Sequence, residues 1–175
     1  MLSAIYAAGP NAGIGEGKSS IRSLPAGIKV SMAAGATLDL NLRNQTVAEF
    51  AGEGAIVNGA LAAAKYTLTG PLAVQDDLAL PANVTLDYTS EAASLQVAGK
   101  LALPAAGMAK VALSDKPGRK AMTLFSSGTP VDWANALKGW QIILPDPKTW
   151  EAVPVSTPNS FGYTFKRIGF VLLVR

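Results

Sequence analysis

Very short strand-like segments recur along most of this chain, and a turn follows nearly every one of them. Apolar residues alternate with small or polar ones at period two, as in residues 37–40 and 66–69. This alternation indicates strands with one buried face. Gly, Pro, Asn and Asp fill the gaps between segments, and these residues favour turns. The pattern predicts an all-β fold, with helical periodicity only at 131–137.

Two echoes in the sequence indicate a degraded structural repeat. A Leu-Pro-Ala corner leads into a short strand at 24–26, 80–82 and 103–105, and residues 36–40 resemble residues 83–88. In a solenoid each coil contacts only its neighbours, so corners of unequal length are tolerated. We therefore predict a parallel β-helix or solenoid with a β-rich C-terminal cap. A β-sandwich is the alternative, although tight hairpin signals are few.

Composition divides the chain into three regions. Residues 1–24 are a Gly/Ser/Ala-rich arm or irregular first coil, residues 25–113 carry the solenoid repeats, and residues 114–175 form an aromatic- and Pro-rich β cap. All three Trp and six of the eleven Pro lie between 114 and 165, and 170–174 is a final strand-like run. A bulky cap suits the end of a solenoid, where the core and unpaired strand edges are otherwise exposed.

Histidine and cysteine are both absent from the sequence. Their absence removes disulfides, thiolate chemistry, the commonest general base and the commonest metal ligand. We therefore expect no catalytic residue, no cofactor and no metal. No apolar run approaches the roughly 18 residues of a transmembrane helix, so no membrane span is expected.

Three consecutive runs resemble a known repeat family. Residues 35–41, 44–47 and 52–59 are similar to autotransporter-associated β-strand repeats of large bacterial surface proteins, and the similarity extends over about 24–175. Residues 121–125 and 137–140 resemble C-terminal segments of such proteins. The resemblance implies a right-handed parallel β-helix and a non-catalytic structural or adhesive role. It also implies an extracellular or bacterial cell-surface location, as part of a longer exported protein.

Aromatic residues of the C-terminal region are candidate contacts for a glycan. Aromatic rings can stack on sugars, but a cap core in which each indole N–H finds a partner is the favoured interpretation. Glycan contact would make the chain a carbohydrate-binding module with cell-surface or extracellular glycans as partners. Exposed ends or strand edges would also permit end-to-end or edge-mediated self-association. The candidate glycan contacts are Trp133, Trp140, Trp150 and Tyr163.

Four aspartates are candidates for a polysaccharide-active site. Asp39, Asp76, Asp77 and Asp87 would need to lie on one face of the solenoid. Paired carboxylates hydrolyse glycosidic bonds when their separation is suitable. Aspartate is nevertheless commoner in turns. An enzyme of this type is the least favoured interpretation.

Residues 12–19 nearly match a phosphate-binding loop, with Ala12 in place of the first glycine. The chemistry needs a helix directly after the loop. Pro25 follows Lys18 closely and would interrupt that helix. We therefore predict a Gly-rich arm.

Basic residues cluster around a turn at 115–118. Short charge runs usually mark solvated surface, and polyanion contact is the alternative. No helix-turn-helix or RNA-binding signature accompanies the cluster, so no nucleic-acid partner is expected. The cluster consists of Lys110, Lys116, Arg119 and Lys120.

Overall fold

The computed structural model describes residues 3–5, 27–114 and 119–168 of the 175-residue chain. Segments 12–19, 115–118 and 170–174, for which predictions were made, lie outside the described residues. Most of the arm 1–24 lies outside them as well. The described elements are β1 (Ser3–Ile5), β2 (Lys29–Met32), β3 (Thr37–Asp39), β4 (Gln45–Val57), β5 (Leu61–Val74), β6 (Leu78–Ala79), β7 (Val84–Tyr88), β8 (Ser94–Val97), β9 (Leu101–Ala102), β10 (Gly107–Val111), β11 (Arg119–Ser127), α1 (Trp133–Ala136), β12 (Trp140–Ile143), β13 (Trp150–Thr157) and β14 (Ser160–Arg167).

Successive coils pair in parallel and form a β-solenoid of about four turns. Sheet A contains β1, β2, β4, β5, β7, β10 and β12 in that order. Sheet B contains β3, β4, β5, β8 and β11. Strands β4 and β5 belong to both sheets because each continues around the corner between them. A short third side pairs the starts of β4 and β5, and β6 with β9. The predicted all-β solenoid is confirmed.

The core is a stack of apolar side chains that point inward from alternate strand positions. In sheet A each inward residue lies beside that of the next coil, so Phe50 adjoins Tyr66, whose ring centroid is 6.0 Å away. Burial of apolar surface stabilises by about 25 cal/mol per Å², and each coil covers the core of its neighbour. The buried row of sheet A is Val30, Phe50, Tyr66, Leu86 and Ala109, and that of sheet B is Leu38, Ile56, Val74 and Val97.

Two glycines allow the second coil to turn from sheet A into sheet B. Gly52 and Gly54 have φ angles of +124° and +126°, a region that L side chains rarely adopt. A Cβ on Gly52 would collide with the backbone carbonyl of Met32 in the preceding coil, and one on Gly54 with that of Ala36. The close approach of these two coils therefore requires glycine at both positions.

The C-terminal section forms an antiparallel sheet that is continuous with the solenoid. Strand β11 pairs in parallel with β8 at its end and antiparallel with β14 along most of its length. The pairing with β14 has an irregularity between Thr123 and Phe125. Strand β14 also pairs with β13 through a two-residue turn at 158–159. The parallel sheet A extends into this section as far as β12, and α1 lies within the predicted helical segment.

Candidate functional site

The three tryptophans predicted to contact a glycan lie inside the cap. The Nε1 of Trp133 donates to the carbonyl oxygen of Thr157 at 2.8 Å, and that of Trp140 donates to the carbonyl of Pro104 at 2.9 Å. The Phe125 ring lies 6.2 Å from the ring of Trp133 and 5.6 Å from that of Trp140. The indoles form the core that joins the cap to the solenoid and offer little ring face to a sugar. The exposed fractions are 5%, 9% and 5% for Trp133, Trp140 and Trp150.

Tyr163 is the fourth predicted contact and lies half-buried on β14. Its ring centroid is 5.5 Å from that of Phe161 and 5.8 Å from that of Phe165. Partial burial raises the pKa of its phenol. Across the strand pair it lies opposite Pro154, which is exposed. Of the four predicted residues, Tyr163 alone retains a partly accessible ring.

The four candidate carboxylates do not share one face of the solenoid. Asp39 ends β3 in sheet B, whereas Asp87 lies on β7 in sheet A. The similar segments 36–40 and 83–88 therefore occupy different sides of the coil, and the prediction of a shared face is wrong for this pair. Period-two alternation specifies which residues point outward but not which sheet they belong to.

Asp39 instead stabilises the corner that follows sheet B. Its Oδ1 accepts hydrogen bonds from the Asn41 backbone N–H at 2.8 Å and from Asn58 Nδ2 of the next coil at 3.0 Å. These two bonds lower the pKa of the Asp39 carboxyl. Asn41 and Asn58 both have positive φ, which asparagine tolerates better than most residues. In this corner, asparagine therefore adopts the positive φ angles that the turn needs, and the Asn58 side chain also donates a hydrogen bond between coils.

Asp76 and Asp77 lie in the corner that follows β5 and accept hydrogen bonds from neighbouring coils. The Oδ2 of Asp76 accepts a hydrogen bond from the Gly59 N–H at 2.6 Å, and the Oδ1 of Asp77 accepts one from the Lys100 N–H at 2.7 Å. The two aspartates bind opposite neighbours, since Gly59 precedes them by one coil and Lys100 follows. Their carboxylates connect three successive coils.

Two shallow depressions lie on sheet B and its following corner. The first has a volume of about 380 Å³ and lies over the small outward residues Ala55 and Ala73, with Gln96 at its border. The second has a volume of about 530 Å³ and lies beside Asp76 and Asp77. Gln75 and Ala98 line both, so the two are neighbouring parts of one concave surface.

An ion pair connects β11 to the solenoid. Lys120 Nζ donates to both carboxylate oxygens of Glu91 at 2.7 Å and to Ser114 Oγ at 3.0 Å. Ser114 also donates its hydroxyl and its N–H to Glu91. The bonds from Lys120 and then from Ser114 lower the pKa of Glu91 to about 2. The Glu91 carboxylate therefore compensates the charge of Lys120, which is one member of the predicted basic cluster.

Charges alternate along the outer surface of sheet A. Lys29 pairs with Glu49 of the next coil at 3.6 Å, and Lys65 pairs with Asp87 at the same distance. Lys110 lies beside Asp87 in the strand register. Each exposed pair contributes little, roughly 0–1 kcal/mol, but unlike charges in successive coils favour the native register over a shifted one.

The described residues contain no group of three acidic side chains arranged to hold a metal ion. The described helix has four residues and is far too short to cross a membrane. Every fully buried side-chain nitrogen or oxygen in the described part of the chain has a hydrogen-bond partner.

The fold and its surface define a β-solenoid protein in which polar side chains connect neighbouring coils. No family model, curated protein or solved structure matches the chain. The resemblance to autotransporter-associated repeats therefore stays a prediction.

Proposed function

We propose that this chain is a non-catalytic structural or adhesive segment of an exported bacterial surface protein. The observation that carries the proposal is how the chain uses its acidic residues. Most carboxylates in the described ranges bind a neighbouring coil, a turn or a helix end, and catalysis would need carboxylates directed at a substrate. The residues engaged in this way are Asp39, Glu49, Asp76, Asp77, Asp87, Glu91, Asp132 and Asp146.

The solenoid architecture supports a structural role because it is built by repetition. Each coil contacts its two neighbours, so length is added without redesign of the core. The outer surface of sheet A carries charges paired between coils, and such mixed surface charge favours solubility. Such a body positions other parts of a longer protein away from a cell surface.

The proposal is tested by displaying the chain on bacterial cells through an inert anchor. We expect cells that display the folded chain to adhere to surfaces coated with extracellular glycans or matrix proteins. The matched control carries Gly52→Ala and Gly54→Ala, which are expected to prevent the second coil from turning from sheet A into sheet B. Equal adherence of both cell types would contradict an adhesive role. Release of reducing sugar by the purified chain, abolished by Asp76→Asn, would contradict the absence of catalysis.

Glycan contact through the cap is the second candidate, and the partial exposure of Tyr163 favours it. We expect binding on a glycan array to be lost in Tyr163→Ala and kept in Val153→Thr, which alters an exposed position of the neighbouring strand. A Tyr163→Ala variant that binds as well as the native chain removes Tyr163 as the contact. Circular dichroism of both variants verifies that the fold is retained.

A further inference from the structure

The corner between β4 and β5 contains an asparagine followed directly by a glycine, Asn58 and Gly59. Asn58 has a φ angle of +54°, which asparagine adopts more readily than most residues. Gly59 has a φ angle of +135°, and a Cβ on it would collide with the backbone carbonyl of Arg43 in the preceding corner. The fold therefore restricts both positions, and asparagine followed by glycine satisfies both restrictions.

The same dipeptide is chemically labile, because glycine has no side chain to hinder attack by its backbone nitrogen on Asn58. The Gly59 nitrogen gives up its proton and bonds to Cγ of Asn58, which closes a five-membered succinimide ring. The side-chain nitrogen of Asn58 leaves with that proton as ammonia. Water then adds to either carbonyl carbon of the ring and breaks its bond to nitrogen, which yields aspartate or isoaspartate. Both reacting nitrogens must first leave their hydrogen bonds.

A carboxylate from the following coil binds the attacking nitrogen. The Gly59 N–H donates to Oδ2 of Asp76 at 2.6 Å, and Gly59 is buried. Deprotonation would place a negative nitrogen against a negative carboxylate, which disfavours the reactive anion. The next N–H, that of Ala60, donates to Oδ1 of Asn44 at 3.0 Å. The backbone after Asn58 is therefore fixed at two consecutive residues.

A second carboxylate, from the preceding coil, binds the leaving group. Nδ2 of Asn58 donates to Oδ1 of Asp39 at 3.0 Å, and this bond must break before the ring can close. The hydrogen bonds from Asn41 and then from Asn58 lower the pKa of the Asp39 carboxyl, so Asp39 is ionised at neutral pH. Conversion of Asn58 to aspartate would replace this hydrogen bond by two neighbouring carboxylates, and like charges at this distance repel.

We propose that Asn58 is a deamidation site that Asp39 and Asp76 hold unreactive while the corner is closed. The peptide unit is bound by the coil before it and by the coil after it, so deamidation requires the corner to open. Once made, the modification weakens the contact between the coils that contain β3 and β4. This inference does not rest on the proposed function, since it concerns the chemical lifetime of the corner alone.

Peptide mapping by mass spectrometry tests the proposal, because it separates asparagine, aspartate and isoaspartate at position 58. The folded chain, the urea-unfolded chain and two folded variants are incubated side by side at mildly alkaline pH. We expect the folded chain to deamidate at least about tenfold more slowly than the unfolded chain, and Asp76→Ala to remove most of this difference. Asp77→Ala is the matched control and should keep the native rate, because Asp77 binds the Lys100 N–H instead.

Three outcomes of the mapping overturn the proposal. The first is an equal rate in the folded and unfolded chains. The second is a native rate in Asp76→Ala, whose fold is verified by circular dichroism. The third is a slower rate in Asp76→Ala, because Asp76 would then be a base that withdraws the Gly59 proton.

Thermal unfolding gives a second measurement that does not depend on Asp76. We expect Asn58→Asp to lower the melting temperature by a few degrees, and Asp39→Asn in the same chain to restore most of the loss. The rescue is expected because the pair then exchanges its donor and its acceptor. Asn83→Asp, at another asparagine with positive φ, is the control and should melt as the native chain does. Native melting of Asn58→Asp, or no rescue by Asp39→Asn, overturns the proposal.

Discussion

The solenoid and the cap are both β-structure, yet they are stabilised in different ways. In the solenoid, rows of apolar side chains and corner hydrogen bonds are spread over successive coils. In the cap, rings are concentrated around Phe125, which contacts Tyr88, Trp133 and Trp140. A repeated architecture shares its stability among equivalent positions, whereas an end that must cover an open core relies on a few large residues. The predictions below test this difference, beginning with the largest effect.

Phe125→Ala is expected to lower the free energy of unfolding by about 4 kcal/mol, because it removes a fully buried ring at the centre of the cluster. All tryptophans lie in the C-terminal region, so indole fluorescence reports the cap, whereas far-ultraviolet circular dichroism reports both regions. We expect the fluorescence transition in urea to precede the dichroism transition in this variant. Leu72→Ala, in the solenoid core, is the control and is expected to move both together. Coincident transitions in Phe125→Ala contradict a cap that depends on this ring.

Gly52→Ala is expected to cost about 3 kcal/mol, because it combines a strained φ with a collision against the backbone of the preceding coil. Gly27→Ala is the control, since a Cβ there meets nothing within 4 Å. Thermal unfolding of the two variants measures the difference. Equal melting temperatures would show that the corner of the second coil can relax, and that coil stacking does not require glycine.

Tyr88→Phe is expected to cost about 1–2 kcal/mol, because it leaves the buried carbonyl of Leu124 without the hydrogen bond that Tyr88 donates at 2.9 Å. Burial raises the pKa of Tyr88 well above the ordinary value of 10.0. The unfolded chain therefore ionises first as pH rises, and stability falls above about pH 10. Urea unfolding between pH 8 and 11 should show a smaller alkaline loss in Tyr88→Phe than in the native chain. A parallel loss in both contradicts the assignment to Tyr88.

Glu91→Gln is expected to have the smallest effect, about 1 kcal/mol at neutral pH after allowance for solvent screening of a partly exposed pair. The folded pKa of Glu91 is about 2, below the ordinary 4.5. Its contribution is therefore present above pH 4.5 and is lost as pH falls towards 2. Urea unfolding should show native chain and variant converging at low pH. The exposed Glu151→Gln is the control, and an equal pH-dependent difference there would contradict the role of the Glu91–Lys120 pair.

Much of the architecture could be predicted because it rests on local patterns. Period-two alternation and frequent turn residues indicated short strands, and the scarcity of hairpin signals indicated parallel coils. The helical pattern at 131–137 contains α1. Strands β4 and β5 are longer than the predicted segments, because bonding to neighbouring coils continues through corners that the sequence marks as turns.

The candidate sites were less predictable. The general burial of aromatic residues favoured a core for the tryptophans over a sugar-stacking platform, but the sequence did not show which strands enclose them. Gly107 illustrates the missing information, since a Cβ on it would meet the Trp140 ring from a strand 33 residues away. The ion pair between Glu91 and Lys120 likewise joins distant residues and has no local signal.

The amino-acid sequence alone determined that the chain forms short one-sided strands that stack into coils without cysteine or histidine chemistry. Alternation and turn residues act within a few positions, so they can be read without knowledge of the fold. Only the tertiary structure decided that Asp39 and Asp87 lie on different sheets and that the indoles are enclosed. These features depend on register between coils, and register is set by packing between residues far apart in the chain.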